Sequence, residues 1–357
     1  MSTGSVDGVV PIRPRDQGEQ RHTWRPVDLG PVLDGTYQPP MPTVGARDDG
    51  VGLFYPGRVH SVASESEGGK TWLALTAAAH ELRAGHAVMY LDFEDDEGGV
   101  VGRLLALGAH PDAIRQRFAY MRPETPIGPS DAGDLAAIMG DLHPTMGVID
   151  GVTEAMALHG LEMTDNTDVA RFGALLPQPL TARGAAVVML DHVTKSAETR
   201  GRYQIGAVHK LNGLNGAAYL LDNRSPFGIG ITGRSTVYIA KDRPGQLRRH
   251  ALPGSEGRHW FADLVLTSHD VTYVEPSLTV PVERTGPSRP TDLMGRVAAA
   301  LTTAAAPLTV RGVLDRVKGK TEVIRQALAC LVDEGYVTVE SGPRGAQLHR
   351  LVRPFAE

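Results

Sequence analysis

Four consecutive residues, Gly68, Gly69, Lys70 and Thr71, combine the side-chain types that hold a chain of phosphates. Glycines let the backbone turn its N–H groups toward phosphate oxygens, and a helix starting there adds a favourable dipole. A lysine at that point brings a positive charge to the β- and γ-phosphates, and a threonine hydroxyl can ligate Mg²⁺. The run Ser64, Glu65, Ser66, Glu67, Gly68, Gly69, Lys70, Thr71, Trp72 follows an apolar stretch, Val59–Ala63, and opens a helical one near Thr71–Ala84. That strand, loop and helix order is the setting in which the motif carries weight. The usual pattern, GxxxxGK followed by Ser or Thr, asks for glycine at position 64, where Ser64 stands.

Two further sets of carboxylates fit the same chemistry. Gly147–Asp150 is an apolar strand ending in Asp150, placed to hold the water shell of a metal ion. Residues 90–96, YLDFEDD, put Glu94 and Asp95 at the end of the strand after the phosphate-loop helix. A carboxylate there can polarise the water that attacks a γ-phosphate, and Glu94 is the favoured base. The alternative is a solvated acidic turn capping the next helix, and of three consecutive acids at least one does only that.

The elements that must carry these residues read as an α/β fold. From about Val51 to Leu266, β-branched runs at Val59–Ala63, Ala87–Phe93, Gly147–Asp150, Ala185–Leu190 and Val237–Lys241 alternate with helical segments. The helices fall near Thr71–Ala84, Gly99–Leu107 and Thr167–Arg183. Such alternation predicts a mostly parallel sheet covered on both faces. Residues 1–35 are polar and rich in Pro and Gly and read as a flexible tail, 36–270 as the α/β domain, 271–291 as a linker and 292–353 as a second domain. In that last part Arg296–Thr303, Val310–Val317 and Thr321–Glu334 read as helices, with Thr321 as an N-cap, and Tyr336–Glu340 and Ala346–Leu351 as strands. This is a winged-helix pattern, a module that docks DNA or protein.

The α/β part resembles the RecA-like P-loop NTPases, and within them the RepA/DnaB-type hexameric helicases, over roughly residues 50–252. The likeness rests on SESEGGKT, YLDFED, GVID, MLDHVTK at 189–195 and AKDRPG at 240–245. It implies an ATPase that uses ATP with Mg²⁺, with Glu94 as the water-activating residue and His192 as a sensor near the γ-phosphate. It also implies that Lys241 and Arg243 reach the nucleotide bound to a neighbouring copy, so the expected assembly is a homo-oligomer, a hexamer. A satisfied strand-end histidine and a solvated hairpin are the plainer readings of His192 and of Lys241 with Arg243.

Residues 195–216 form a long connection carrying Lys195, Arg200, Arg202, His209 and Lys210 against a single acid, Glu198. Lys195, Arg200, Arg202 and Lys210 are candidate contacts to a DNA backbone, with Tyr203 for stacking. An ordinary surface loop has the same composition. The resemblance favours a replicative helicase of a mobile element acting on single- or double-stranded DNA. An ATP-switched DNA-binding, loader or regulatory protein that unwinds nothing is the alternative.

Bulk properties set the outer bounds. Hydrophobic residues make up 41% of 357 and charged residues 22%, suiting a globular protein with a sizeable core. Lys plus Arg number 36 against 41 Asp plus Glu, a net charge of -5, which excludes a wholly basic nucleic-acid coat but not a local basic groove. The single cysteine, Cys330, excludes an internal disulfide and reads as a core residue. No stretch has the length and apolarity of a membrane span, and the N-terminus lacks the order of a signal peptide, so the expected compartment is the cytoplasm.

Overall fold

The computed structural model describes residues 26–193, 213–254, 257–282 and 291–355. They fall into two units, Met1–Pro281 and Val282–Glu357. In the first, a single helical turn, α1 (Gly30–Leu33), precedes an antiparallel hairpin of β1 (Val44–Ala46) and β2 (Gly52–Phe54). Alternation then sets in with β3 (Val59–Ser64), α2 (Lys70–Arg83), β4 (Val88–Asp92), α3 (Glu97–Ala106), α4 (Pro111–Arg117), β5 (Phe118–Met121) and α5 (Pro129–Leu142). It continues through β6 (Met146–Asp150), α6 (Val152–Leu158), α7 (Asn166–Leu175), α8 (Pro177–Thr181) and β7 (Ala186–His192). Strands β8 (Ala217–Ser225), β9 (Thr232–Asp242), β10 (Leu252–Pro253), β11 (His259–Ser268) and β12 (Val274–Thr279) complete the unit.

All strands of this unit except β1 and β2 join one ten-stranded sheet, in the order β10-β11-β9-β8-β3-β7-β6-β4-β5, with β12 also on β11. Strands β3 to β8 pair parallel with one another, β9 pairs antiparallel with both β8 and β11, and β11 antiparallel with β10 and β12, so the sheet is mostly parallel at its centre. The central strands are apolar along their whole length because both faces are covered; every residue of β4 and β6 is buried. Ser64 pairs in register with His192, and Asp92 with Asp150, so the C-terminal ends of β3, β7, β6 and β4 lie along one edge. Ligands of open α/β sheets bind at that edge.

Several boundaries differ from the sequence reading; in the second unit the helices expected over Arg296–Thr303 and Val310–Val317 run over Thr291–Thr302 and Val310–Leu314. Val274–Thr279, expected within a linker, is an edge strand held by β11 and by Asp48, whose carboxylate accepts from Ser277 Oγ (2.5 Å) and Leu278 N (2.9 Å). An edge strand has one unpaired side, so Pro276 is tolerated and the composition reads as loop. The helix expected over Thr167–Arg183 is broken into α7 and α8 at Pro177, which cannot continue a helix but can start one. Within the expected tail, Gly30–Leu33 is helical with no buried side chain.

Among its described residues the second unit holds three α-helices, α9 (Thr291–Thr302), α10 (Val310–Leu314) and α11 (Thr321–Asp333), then an antiparallel hairpin of β13 (Val337–Ser341) and β14 (Gln347–Leu351). Met294, Val297, Val313, Ile324, Ala327 and Leu331 form its core, with Cys330 buried beside them. Lys320, not Thr321, is the N-cap of α11, and it makes no side-chain cap bond. Among the described residues no helix is long and apolar enough to cross a membrane.

One buried group sets a pH limit on the first unit. His60 on β3 is fully buried; its Nε2 accepts from the Tyr55 N–H at 2.9 Å, which leaves the proton on Nδ1, 3.3 Å from the Val187 carbonyl. Burial pushes its pKa down to about 3. The unfolded chain binds this proton below about 6.5 and the folded chain does not, so stability falls as pH drops from there toward 3, by about 1.4 kcal/mol per unit. Chemical denaturation of His60→Gln between pH 7 and 4 should show a shallower loss than wild type; equal slopes would remove His60 as the cause.

Candidate active site

The loop between β3 and α2 needs glycine at 68, where a Cβ would stand 2.6 Å from Ser64 Cβ, and at 69, but not at 64. Its left-handed residues are Glu67 (φ 60°) and Gly69 (φ 93°); Ser64 is not among them, so a serine fits there without strain. The Ser64 hydroxyl donates to the Glu65 carbonyl at 2.7 Å. A Cβ on Gly69 would stand 2.6 Å from the Phe227 ring. Ser235 on β9 donates to the Gly68 carbonyl at 2.9 Å, pinning the loop to the sheet.

Around this loop lies a cavity of about 540 Å³, lined by Ser66, Glu67, Gly69, Lys70, Thr71, Trp72, Glu94, Asp95, Arg103, Asp150, His192 and Phe227. Six of the nine loop residues singled out in the sequence face it; Ser64, Glu65 and Gly68 do not. Lys70 Nζ lies 3.2 Å from Glu94 Oε2 and 3.3 Å from His192 Nε2, and His192 Nε2 lies 3.1 Å from Glu94 Oε1. A single imidazole nitrogen either donates to Glu94 or accepts from Lys70, so its protonation decides which contact is a hydrogen bond.

The three acids after β4 divide their work. Asp96 caps α3, accepting from Gly99 N at 2.8 Å. Asp95 pairs with Arg103 at 2.7 Å; burial is the largest single influence and opposes its charge, but the Arg103 hydrogen bond, the Asp96 backbone N–H and the Arg103 and Arg122 charges together hold its carboxyl below the usual range. Glu94 alone turns toward Lys70. The turn is built by buried Asp92, whose Oδ1 accepts from the backbone of Glu94 (3.0 Å) and Asp95 (2.9 Å).

Asp150 sits beside Thr71. Its Oδ2 accepts from Thr71 Oγ1 at 3.2 Å and from the Tyr90 hydroxyl at 2.6 Å, while Oδ1 is buried with no hydrogen-bond partner. Burial raises the Asp150 pKa, opposed by the Tyr90 hydrogen bond and the Lys70 charge. A buried orphan carboxylate oxygen beside a threonine hydroxyl suits a hydrated Mg²⁺, which these two residues would hold with the phosphates.

Gly151 keeps this edge open. At φ 78° it lies in the left-handed region, and a Cβ there would stand 2.7 Å from Glu94 Cγ. Gly151→Ala should therefore displace Glu94 and lower turnover on the order of a hundredfold while nucleotide affinity holds. Wild-type turnover in that variant would show that the Glu94 position is not critical.

Lys241 and Arg243 are not brought to this cavity. Lys241 pairs with Ala218, which pairs with Ser61 on β3, some 10 Å along the strand from Ser64 at about 3.3 Å per residue. Burial, then the Arg243 charge, lowers the Lys241 pKa. Asp242 between them is buried and accepts from Gly245, Leu247 and Arg248 N–H groups, shaping the loop on which Arg243 is exposed. Lys195, Arg200, Arg202 and Lys210, with Tyr203 and His209, lie outside the described residues.

Arg103 and Phe227 are site residues that the sequence reading missed. With Trp72 they separate the phosphate cavity from an adjoining cleft of about 380 Å³ that also touches Gly99, Gly102 and Leu266. The Arg103 guanidinium lies 6.0 Å from the Trp72 ring centre. Aromatic faces beside an apolar cleft suit the flat base of a nucleotide.

Residues 25–198 match the family model described as an AAA domain. That match supports a P-loop ATPase. It spans the phosphate loop, Glu94, Asp150 and His192, and it ends before β8 and the second unit. Together with the mostly parallel sheet, it supports nucleotide binding and hydrolysis by this ATPase domain. No curated protein matches the chain.

Proposed function

We propose that the chain is a Mg²⁺-dependent ATPase that acts on DNA, a motor of the RepA/DnaB kind working as a homo-oligomer, a hexamer. The observation that carries ATP turnover is the convergence of Lys70, Glu94 and His192 within 3.3 Å of one another, beside Thr71 and Asp150. Lys70 binds the phosphates, Glu94 takes the proton of the attacking water and His192 reports on the γ-phosphate. Bound Mg²⁺ neutralises phosphate charge.

Action on DNA and assembly into a ring rest on the sequence resemblance and on two surface features that fit it. Arg243 is exposed on a loop away from its own cavity, as a residue serving a neighbour must be. Lys318, Lys320 and Arg325 are exposed on or just before α11, the third helix of the second unit. In the winged-helix reading that helix meets DNA.

The deciding experiment measures ATP hydrolysis with and without single-stranded DNA, alongside mass in solution with ATP and Mg²⁺. Stimulated turnover in a six-fold assembly is the expected result. Slow, unstimulated turnover in a monomer or dimer would replace the motor with an ATP-switched binding protein.

A further inference from the structure

Two of the carboxylates that shape the site, Asp150 and Asp92, are each held by a tyrosine on a strand of the same sheet. Tyr90 on β4 is fully buried, and its hydroxyl donates to Asp150 Oδ2 at 2.6 Å. Tyr120 on β5 donates to Asp92 Oδ2 at 2.9 Å, while the other oxygen of Asp92 holds the backbone that presents Glu94. The two rings are neighbours across the β4–β5 ladder, where Tyr90 pairs with Tyr120, and they stack at 6.2 Å and 19°.

Packing alone does not call for these hydroxyls. Phenylalanine would fill the same space without burying a polar group, which costs free energy unless it is hydrogen-bonded. Both hydroxyls instead end on acids of the nucleotide edge. An unrestrained carboxylate rotates about its Cβ–Cγ bond. With Tyr90 and Thr71 both on Oδ2 of Asp150, Oδ1 is left as the oxygen without a partner.

We infer that Tyr90 and Tyr120 are paired positioning residues of the proposed ATPase. Tyr90 fixes the rotation of Asp150 so that its second oxygen receives the water shell of Mg²⁺. Tyr120, through Asp92, fixes the turn that aims Glu94. The first acts on metal-dependent binding and the second on turnover, so the pair divides binding from chemistry. This assignment rests on the ATPase reading.

Tyr90→Phe and Tyr120→Phe keep the stacked rings and remove one hydroxyl each. The probe is a non-hydrolysable ATP analogue, titrated calorimetrically with Mg²⁺ and again with EDTA, with ATP turnover measured in parallel. Partners of metal ligands are commonly worth about ten- to a hundredfold. Tyr90→Phe should lose about that much of the Mg²⁺-dependent gain in affinity, with its affinity in EDTA unchanged. Tyr120→Phe should keep both affinities and lose up to about a hundredfold in kcat at unchanged KM, as a small misplacement of a catalytic group does. Variants that match wild type in both measurements overturn the inference and leave the ATPase reading standing. A folded wild-type chain that binds no nucleotide overturns the ATPase reading itself. Should Tyr90→Phe not fold, the kcat of Tyr120→Phe decides alone: a drop at constant KM upholds the positioning role, and wild-type kcat ends it.

Discussion

Replacing Lys70 with alanine should abolish measurable ATP turnover, a loss on the order of a hundred- to a thousandfold or more. Lys70 is 7% exposed at the first position of α2, and it is the ammonium that lines the phosphate cavity. Among the described residues no neighbour can replace it, because Arg103, the other arginine or lysine on the cavity wall, is engaged by Asp95 at 2.7 Å. Truncation also leaves Glu94 without its ion-pair partner next to the incoming γ-phosphate, adding repulsion to the lost attraction. The measurement is turnover together with nucleotide affinity on a variant whose melting temperature is checked. Unchanged hydrolysis would remove the phosphate-loop assignment altogether.

Glu94→Gln should have the opposite profile, with nucleotide held and hydrolysis slowed by about a hundred- to ten-thousandfold. Glutamine keeps the shape of the side chain and a hydrogen-bonding oxygen for Lys70, but it cannot take a proton from water. The turn that carries it stays in place, because Asp92 holds the backbone of residue 94 and not its side chain. Trapped ATP, read after rapid removal of free nucleotide, is the expected outcome. Loss of binding would instead mark Glu94 as a structural carboxylate, and normal turnover would move the base elsewhere.

The two halves of the sheet were not equally readable. Strands β3, β4, β6 and β7 stood out because a strand covered on both faces is a short unbroken apolar run, as VMYLD and MGVID are. The outer strands carry mixed patterns. Asn223 and Arg224 near the end of β8 are exposed, and β12 contains Pro276 and Ser277, so neither advertises a strand. The nucleotide edge follows the same division. Lys70 at a helix start, and Glu94, Asp150 and His192 at or just after strand ends, are local motif residues, and the structure brings them together. Arg103 and Phe227 belong to no motif; their place depends on which helix and hairpin the fold lays beside the loop. Asp92 could have been found, since an aspartate two residues before Glu94 is the ordinary spacing for a side chain that caps its own turn. Serine at position 64 departs from the usual pattern, but the backbone there asks nothing of glycine.

The ion pair between Lys70 and Glu94 has a consequence for which anions the site admits. A lone buried lysine would recruit any small anion in its surroundings. Here a carboxylate already occupies that role at 3.2 Å, so filling the site is an exchange of one negative partner for another. Selection depends on the difference between the two partners, not on attraction to the newcomer alone. A singly charged ion gains little by that exchange. A polyphosphate that arrives with its own cation and engages the loop, Thr71 and Lys70 together gains much more. The resting site is thereby buffered against the abundant simple anions around it.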